Sequence, residues 1–189
     1  MGFGSPKRAT LAENRASERL AIVERVVSIL IMSKLQAEIK QSKPFDSLQE
    51  ELLLNLTRTA AVLGHELEQT LRPHGLSGTQ YNVLRILRGA GAEGLMQCEV
   101  GARLVAQVPD VPRILSRMEK AGWVQRVRGT VDRRAVHTTL TRKGLELVNE
   151  LDAVVQGRAE GMFPKLGREE MEHLCELLVR ARCGVKDKG

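Results

Sequence analysis

Between Val111 and Val155 the period of the apolar positions changes twice. Val111, Leu115 and Met118, with Ile114 beside them, recur at helical spacing and predict a buried stripe, with Arg113, Arg117 and Lys120 on the opposite face. Gly122 ends that helix. Trp123 to Arg128 is short and rich in β-forming residues, and Ala135 to Leu140 alternates Val136, Thr138 and Leu140 against Ala135, His137 and Thr139. Each predicts a half-exposed strand, with Gly129 to Arg133 as the turn between them. Thr141 then stands directly before a helical pattern through Leu145, Val148, Leu151, Val154 and Val155, where its hydroxyl can accept from a first-turn amide. The order is helix, strand, basic turn, strand, helix.

The flanking segments are helical in pattern. A stripe of Leu48, Leu52, Leu56, Ala60, Leu63, Leu67 and Leu71 predicts a helix over Asp46 to Leu71, closed by Pro73 and Gly75. Ser77 to Leu87 predicts a shorter one with Tyr81, Leu84 and Leu87 inward, and Gln97 to Leu104 pairs with Asp110 to Ala121. The last helix is expected over Gly167 to Arg182, with Met171, Leu174, Leu178 and Ala181 apolar. The first and last stripes carry more leucine than a small domain can cover, which predicts a partner surface. Ahead of Pro44 lies a leader whose pattern is helical from Leu11 to Ile39 and apolar on more than one face from Leu20 to Leu35. Met32 opens a polar stretch, so either the leader adds a helix or translation begins at Met32.

Charge sharpens this picture. From Val108 to Gly144 there are nine Lys and Arg against three acids, an excess equal to the net charge of the whole chain, +6. One segment therefore carries all the excess, the footprint of a phosphate-binding face. With only one Trp, one Tyr and three Phe, the chain lacks platforms for stacking unpaired bases, and double-stranded DNA is the better match. Three cysteines without a CxxC spacing disfavour both a disulfide framework and a zinc knuckle and fit a reducing cytoplasm. The longest apolar run, Val26 to Met32, is too short to cross a bilayer, so no membrane association is expected.

The helix start PDVPRIL, the helix end RMEKAGWVQR, the triplet Asp132-Arg133-Arg134 and the closing LTRKG at 140–144 together resemble the MarR family of winged helix-turn-helix transcriptional regulators. The resemblance runs from about Phe45 to about Arg182. It implies a mainly α fold with a small β-hairpin wing and an intertwined helical dimer, which would place two reading helices one helical turn apart on a pseudo-palindromic operator. It also implies that Arg134 reaches the minor groove or its phosphate rim with Asp132 orienting it, and that a small-molecule effector releases a repressor from DNA. The expected DNA-binding residues are Asp110, Arg113, Ser116, Arg117, Lys120, Arg126, Arg128, Arg133 and Arg134. Arg113 and Arg117 are assigned to the major groove. Family members often carry Thr or Ser where this chain has Pro112, which fixes the helix entry and offers no hydroxyl.

The chain then divides into a leader with an extra helix (1–44), a helical dimerisation region (45–76 and 145–182), a winged helix-turn-helix domain (77–144) and a tail (183–189). Other constellations fail on their chemistry. Gly89 to Gly94 matches GxGxxG but follows a helical pattern where a dinucleotide turn needs a strand, so it reads as a flexible connector. His65-Glu66 has Gln69 where a second zinc-binding histidine is required. No cofactor or metal is called for, and no enzyme activity is expected. Cys98 opens a helix, where its thiol could be activated, while Cys175 and Cys183 read as core or interface packing. Two alternatives stay open: a redox-responsive or thiol-based catalyst using Cys98, and a winged helix that binds protein without DNA.

Overall fold

The elements form within a few residues of the predicted ends. The computed structural model describes residues 33–128 and 136–186, and the expectations placed on the leader to Met32 and on Asp132, Arg133 and Arg134 lie outside the described residues. Two units, residues 1–61 and 62–189, make up the chain. In the first, a short helix α1 (Lys34–Glu38) starts at Ser33, whose hydroxyl accepts from Gln36 N–H at 3.2 Å. Arg58 meets Glu38 at 3.0 Å. Helix α2 (Leu48–Leu71) runs from this unit into the second, and Glu50 and Glu51 in its first turn complement the helix dipole.

The second unit continues with α3 (Gly78–Ala90), β1 (Leu95–Met96), α4 (Gln97–Arg103), α5 (Val111–Lys120), β2 (Val124–Arg128), β3 (Val136–Leu140), α6 (Arg142–Glu160) and α7 (Arg168–Lys186). Helix α3 opens on a reciprocal cap: Gln80 N–H donates to the Ser77 hydroxyl at 3.2 Å and Ser77 N–H to the Gln80 side-chain oxygen at 2.9 Å. The core gathers Leu71, Leu84 and Leu87 with Val100, Leu115, Met118 and Val124, and it takes in Val148 and Leu151 of α6. The first half of α6 is thus core to the winged helix as well as a start toward the terminal helices.

The hairpin is in fact a three-stranded antiparallel sheet of order β1–β3–β2. Leu95 pairs with Thr138, and Val124 with Leu140. Two residues carry no readable period, which is why β1 left no trace in the pattern. The stretch expected to be a flexible connector is instead a built turn. Gly91 to Glu93 forms a short 3-10 helix, and Gly91 and Gly94 take φ of 70° and 65°, the left-handed region that glycine tolerates. A Cβ on Gly94 would overlap the Thr138 carbonyl. This turn and β1 bury Thr138 and Thr139 alike, so β3 is not the half-exposed strand that its alternation predicts.

The two ends of the wing meet at one joint. Thr141 N–H donates to the Trp123 carbonyl at 3.0 Å, and its hydroxyl donates to the Gly122 carbonyl at 2.7 Å while accepting from Gly144 N–H at 3.0 Å. Lys143 Nζ reaches the Ala121 carbonyl at 2.9 Å, satisfying an acceptor at the end of α5. Gly144 is buried against the Trp123 carbonyl, and an added Cβ would overlap that oxygen. Gly144→Ala should therefore destabilise the fold by about 1–3 kcal/mol, the usual range for overpacking. The control Gly89→Ala, where a Cβ meets nothing within 4 Å, should be neutral or slightly stabilising. Denaturant melts of the two variants check this, and equal midpoints would show that the joint yields.

Candidate nucleic-acid interface

Helix α5 presents two chemically opposite faces. Leu115 and Met118 are buried, whereas Arg113, Arg117 and Lys120 are exposed, and among the described residues these three cations make no ion pair. Asp110 caps the helix: its Oδ1 accepts from Arg113 N–H at 3.0 Å, with Pro112 in the first turn. Ser116 is half-buried between the two faces. The stretch from α4 to α5 is tied at its start to the scaffold, since Val105 N–H donates to the Asn82 side-chain oxygen of α3 at 2.9 Å.

Arg126 and Arg128 follow on β2. Arg126 does not stand alone, because its Nε lies 3.3 Å from Glu119 of α5. That contact braces the wing strand against the helix and was not legible beforehand, since charge counting over a segment cannot see which opposite charges the fold brings together. The same holds for Lys143, engaged at the joint, and for Arg142, paired with Glu146 at 3.5 Å. Among the cations of this segment whose side chains are described, the basic face thus narrows to Arg113, Arg117 and Lys120.

A separate polar network joins α3 to α6. Tyr81 donates to Asp152 Oδ1 at 2.9 Å, and Arg88 meets Asp152 Oδ2 at 2.6 Å and Asn149 Oδ1 at 3.0 Å. The Arg85 guanidinium lies 5.9 Å from the Tyr81 ring centre. Burial, reinforced by the Asp152 carboxylate, pushes the Tyr81 hydroxyl up to about 12. Burial also works to raise the Asp152 carboxyl, but the bonds from Tyr81 and Arg88 outweigh it and hold the group below the usual carboxylate range. The cysteines lie elsewhere. Cys98, Cys175 and Cys183 are all exposed, so none is core packing. No group of three or more His, Cys, Asp or Glu among the described residues could hold a metal, and no described helix is long and apolar enough to cross a membrane.

Residues 76–136 match the model of the MarR family, the span from the residue before the α3 cap to the first residue of β3. The regulator TtmR of Methylorubrum extorquens, an HTH-type transcriptional regulator, is 33% identical over 142 residues, covering 73% of this chain and 72% of TtmR. The chain belongs to the MarR family. A MarR transcription factor from Planctomyces limnophilus is 29% identical, with a TM-score of 0.53 over 77% of this chain and all of that one. The fold is also that of the repressor CouR bound to a 23-mer DNA duplex, at a TM-score of 0.65 and 24% identity over 75% of this chain and 99% of CouR. In this MarR-family chain α4 and α5 are the helix-turn-helix, and β1, β2 and β3 form the winged sheet.

Tyr81 offers a direct test of the network, because it is the only tyrosine in the chain. Its raised pKa means that its contribution to stability is full below about pH 10, the unfolded value, and is lost as pH rises through about 12. The depressed Asp152 carboxyl contributes above its unfolded value of 3.8 and loses that contribution as pH falls through its lower folded value. Ultraviolet absorbance should show tyrosinate forming near pH 12 in the folded protein, and Asp152→Asn should bring the midpoint down toward 10. A wild-type midpoint already at 10 with the fold intact would mean that the Tyr81–Asp152 bond is not made.

Proposed function

We propose that this MarR-family chain is a repressor that binds a pseudo-palindromic duplex operator as a homodimer and is released by a small-molecule effector. The observation that carries the reading is the exposed Arg113, Arg117 and Lys120 face on the second helix of a helix-turn-helix, the element that enters the major groove in this motif. Arg113 and Arg117 read base edges, with Ser116 adjacent and Lys120 on phosphate. Asp110 acts from behind, fixing the helix start. On the wing, Arg128, Arg133 and Arg134 approach the minor groove or its rim, Asp132 orients Arg134, and Arg126 contributes through its brace to Glu119.

Support for the dimer comes from apolar surface on the terminal helices. Leu48 is 75% exposed, Leu52 and Leu53 are exposed beside it on α2, and Met171, Leu174, Leu177 and Val179 are exposed on α7. Covering such stripes removes area worth roughly 25 cal/mol per Å² from water. Support for DNA comes from fold relatives solved on it, CouR with a 23-mer duplex and MepR of Staphylococcus aureus. Support for a small-molecule effector comes from BpsR of Bordetella bronchiseptica, whose DNA binding is regulated by 6-hydroxynicotinic acid, and from CouR of Rhodococcus jostii, solved with p-coumaroyl-CoA.

A salt-varied titration of duplex from the chain's own promoter region tests the reading. Steep loss of affinity with salt is expected, and an absence of binding at low salt would favour a winged helix that binds protein. Arg134→Ala should cost about 1–3 kcal/mol of operator affinity with little change in melting, whereas Lys120→Ala should weaken all sequences alike and lower the salt slope by about one. Replacing Cys98, Cys175 and Cys183 together with Ser should leave operator affinity unchanged. Peroxide release of the wild type that vanishes in this variant would instead make the protein a redox switch.

A further inference from the structure

The first turn of α5 carries an apolar group on its exposed side. Pro112 is exposed, while Val111 beside it turns inward and packs so close to α4 that a Cβ on Gly101 would lie 3.4 Å from its side chain. One turn on from Pro112 stands Ser116, and Arg113 and Arg117 form the neighbouring row, so the proline ring shares the outward face with the two arginines. Side chains on a helix lean toward its N-terminus, which puts the Pro112 ring over the leading end of α5. Pro109, just ahead of the Asp110 cap, is exposed as well.

This end of the helix is poor in hydrogen-bond donors. A helix N-terminus ordinarily offers free amides to an approaching polar group. Here Pro112 has no N–H, Arg113 N–H donates to the Asp110 carboxylate at 3.0 Å, and Ile114 N–H donates to the Asp110 carbonyl at 3.3 Å. A base edge pressed against the Pro112 ring in the major groove would lose its water and gain no bond, which is costly for an edge made only of donors and acceptors. Thymine is the exception among the four bases, because its C5-methyl group projects into that groove and is apolar.

We propose that Pro112 is a specificity-determining residue of the operator contact, its ring packing on the methyl group of a thymine in each half-site. The inference rests on the DNA-binding reading given above, in which the N-terminal residues of α5 face base edges. Arg113 then supplies hydrogen bonds to base edges, and Pro112 supplies a contact that no hydrogen bond can replace. Uracil in place of thymine isolates that contact, since it removes the methyl and leaves the base-pairing edge unchanged. Burying one carbon is equivalent to about fourfold in affinity, so two half-sites should together give roughly tenfold.

Duplex from the chain's own promoter region is synthesised with each thymine in turn replaced by uracil, and its affinity for the full-length protein is read by fluorescence anisotropy. At one thymine per half-site the wild type should lose about fourfold, and roughly tenfold when the symmetry-related pair is replaced together. In Pro112→Ser the same replacements should have no effect, while the salt dependence of binding stays as in the wild type because no charge is altered. A scan that finds no sensitive thymine, or a sensitive thymine that keeps its full effect in Pro112→Ser, overturns the proposal. A thermal melt checks that the variant folds. If it does not, the wild type carries the test: with cytosine at the sensitive position, 5-methylcytosine should recover about fourfold, and no recovery overturns the contact. Tight binding indifferent to uracil removes only the role of Pro112, whereas a protein that binds no duplex at low salt removes the regulator reading and this proposal together.

Discussion

Thr141 and Gly144 join the end of α5 to the start of α6 at the root of the wing. The hydroxyl of Thr141 donates to the carbonyl of Gly122 and accepts from Gly144, and Gly144 in turn lets α6 come against the Trp123 carbonyl. One short segment thereby ends α5, begins β2, finishes β3 and starts α6. These bonds hold the inner ends of β2 and β3 against α5 and α6, and five-residue strands carry little stiffness of their own. The motif LTRKG is the chemical record of that joint: Leu140 packs against the core, Thr141 caps, Lys143 covers a helix end and Gly144 leaves room.

From the joint the structure extends in two directions. Toward the surface, Glu119 and Arg126 link α5 to β2 across the basic face. On the other side, Asp152 accepts from Tyr81 and pairs with Arg88, which also donates to the exposed Asn149, so α3 is tied to the part of α6 that shares the core. A partly buried network of this kind rigidifies when its members are matched.

Much of this was legible in the pattern because each main element is long enough to show its period. Leu115 and Met118 announced the buried face of α5, and Thr141 announced the start of α6, because a cap and a stripe are local signals. What stayed hidden depends on contacts between distant segments. Strand β1 is two residues long and exists because Gly94 permits its approach to Thr138, a fact about a neighbour 44 positions away. The pairing of Arg126 with Glu119 and the exposure of Cys175 and Cys183 are equally non-local. The triplet Asp132-Arg133-Arg134 was legible by resemblance and lies outside the described residues.

Glu119 gives the basic surface a counterion that is part of the chain. A mobile chloride leaves as ionic strength falls, and attraction to any polyanion then grows without check. A carboxylate fixed beside Arg126 does not leave, so part of the surface stays neutralised under the very conditions in which indiscriminate adhesion is strongest. Such a built-in anion tempers sticking to arbitrary nucleic acid, while the exposed cations of α5 carry no such partner among the described residues.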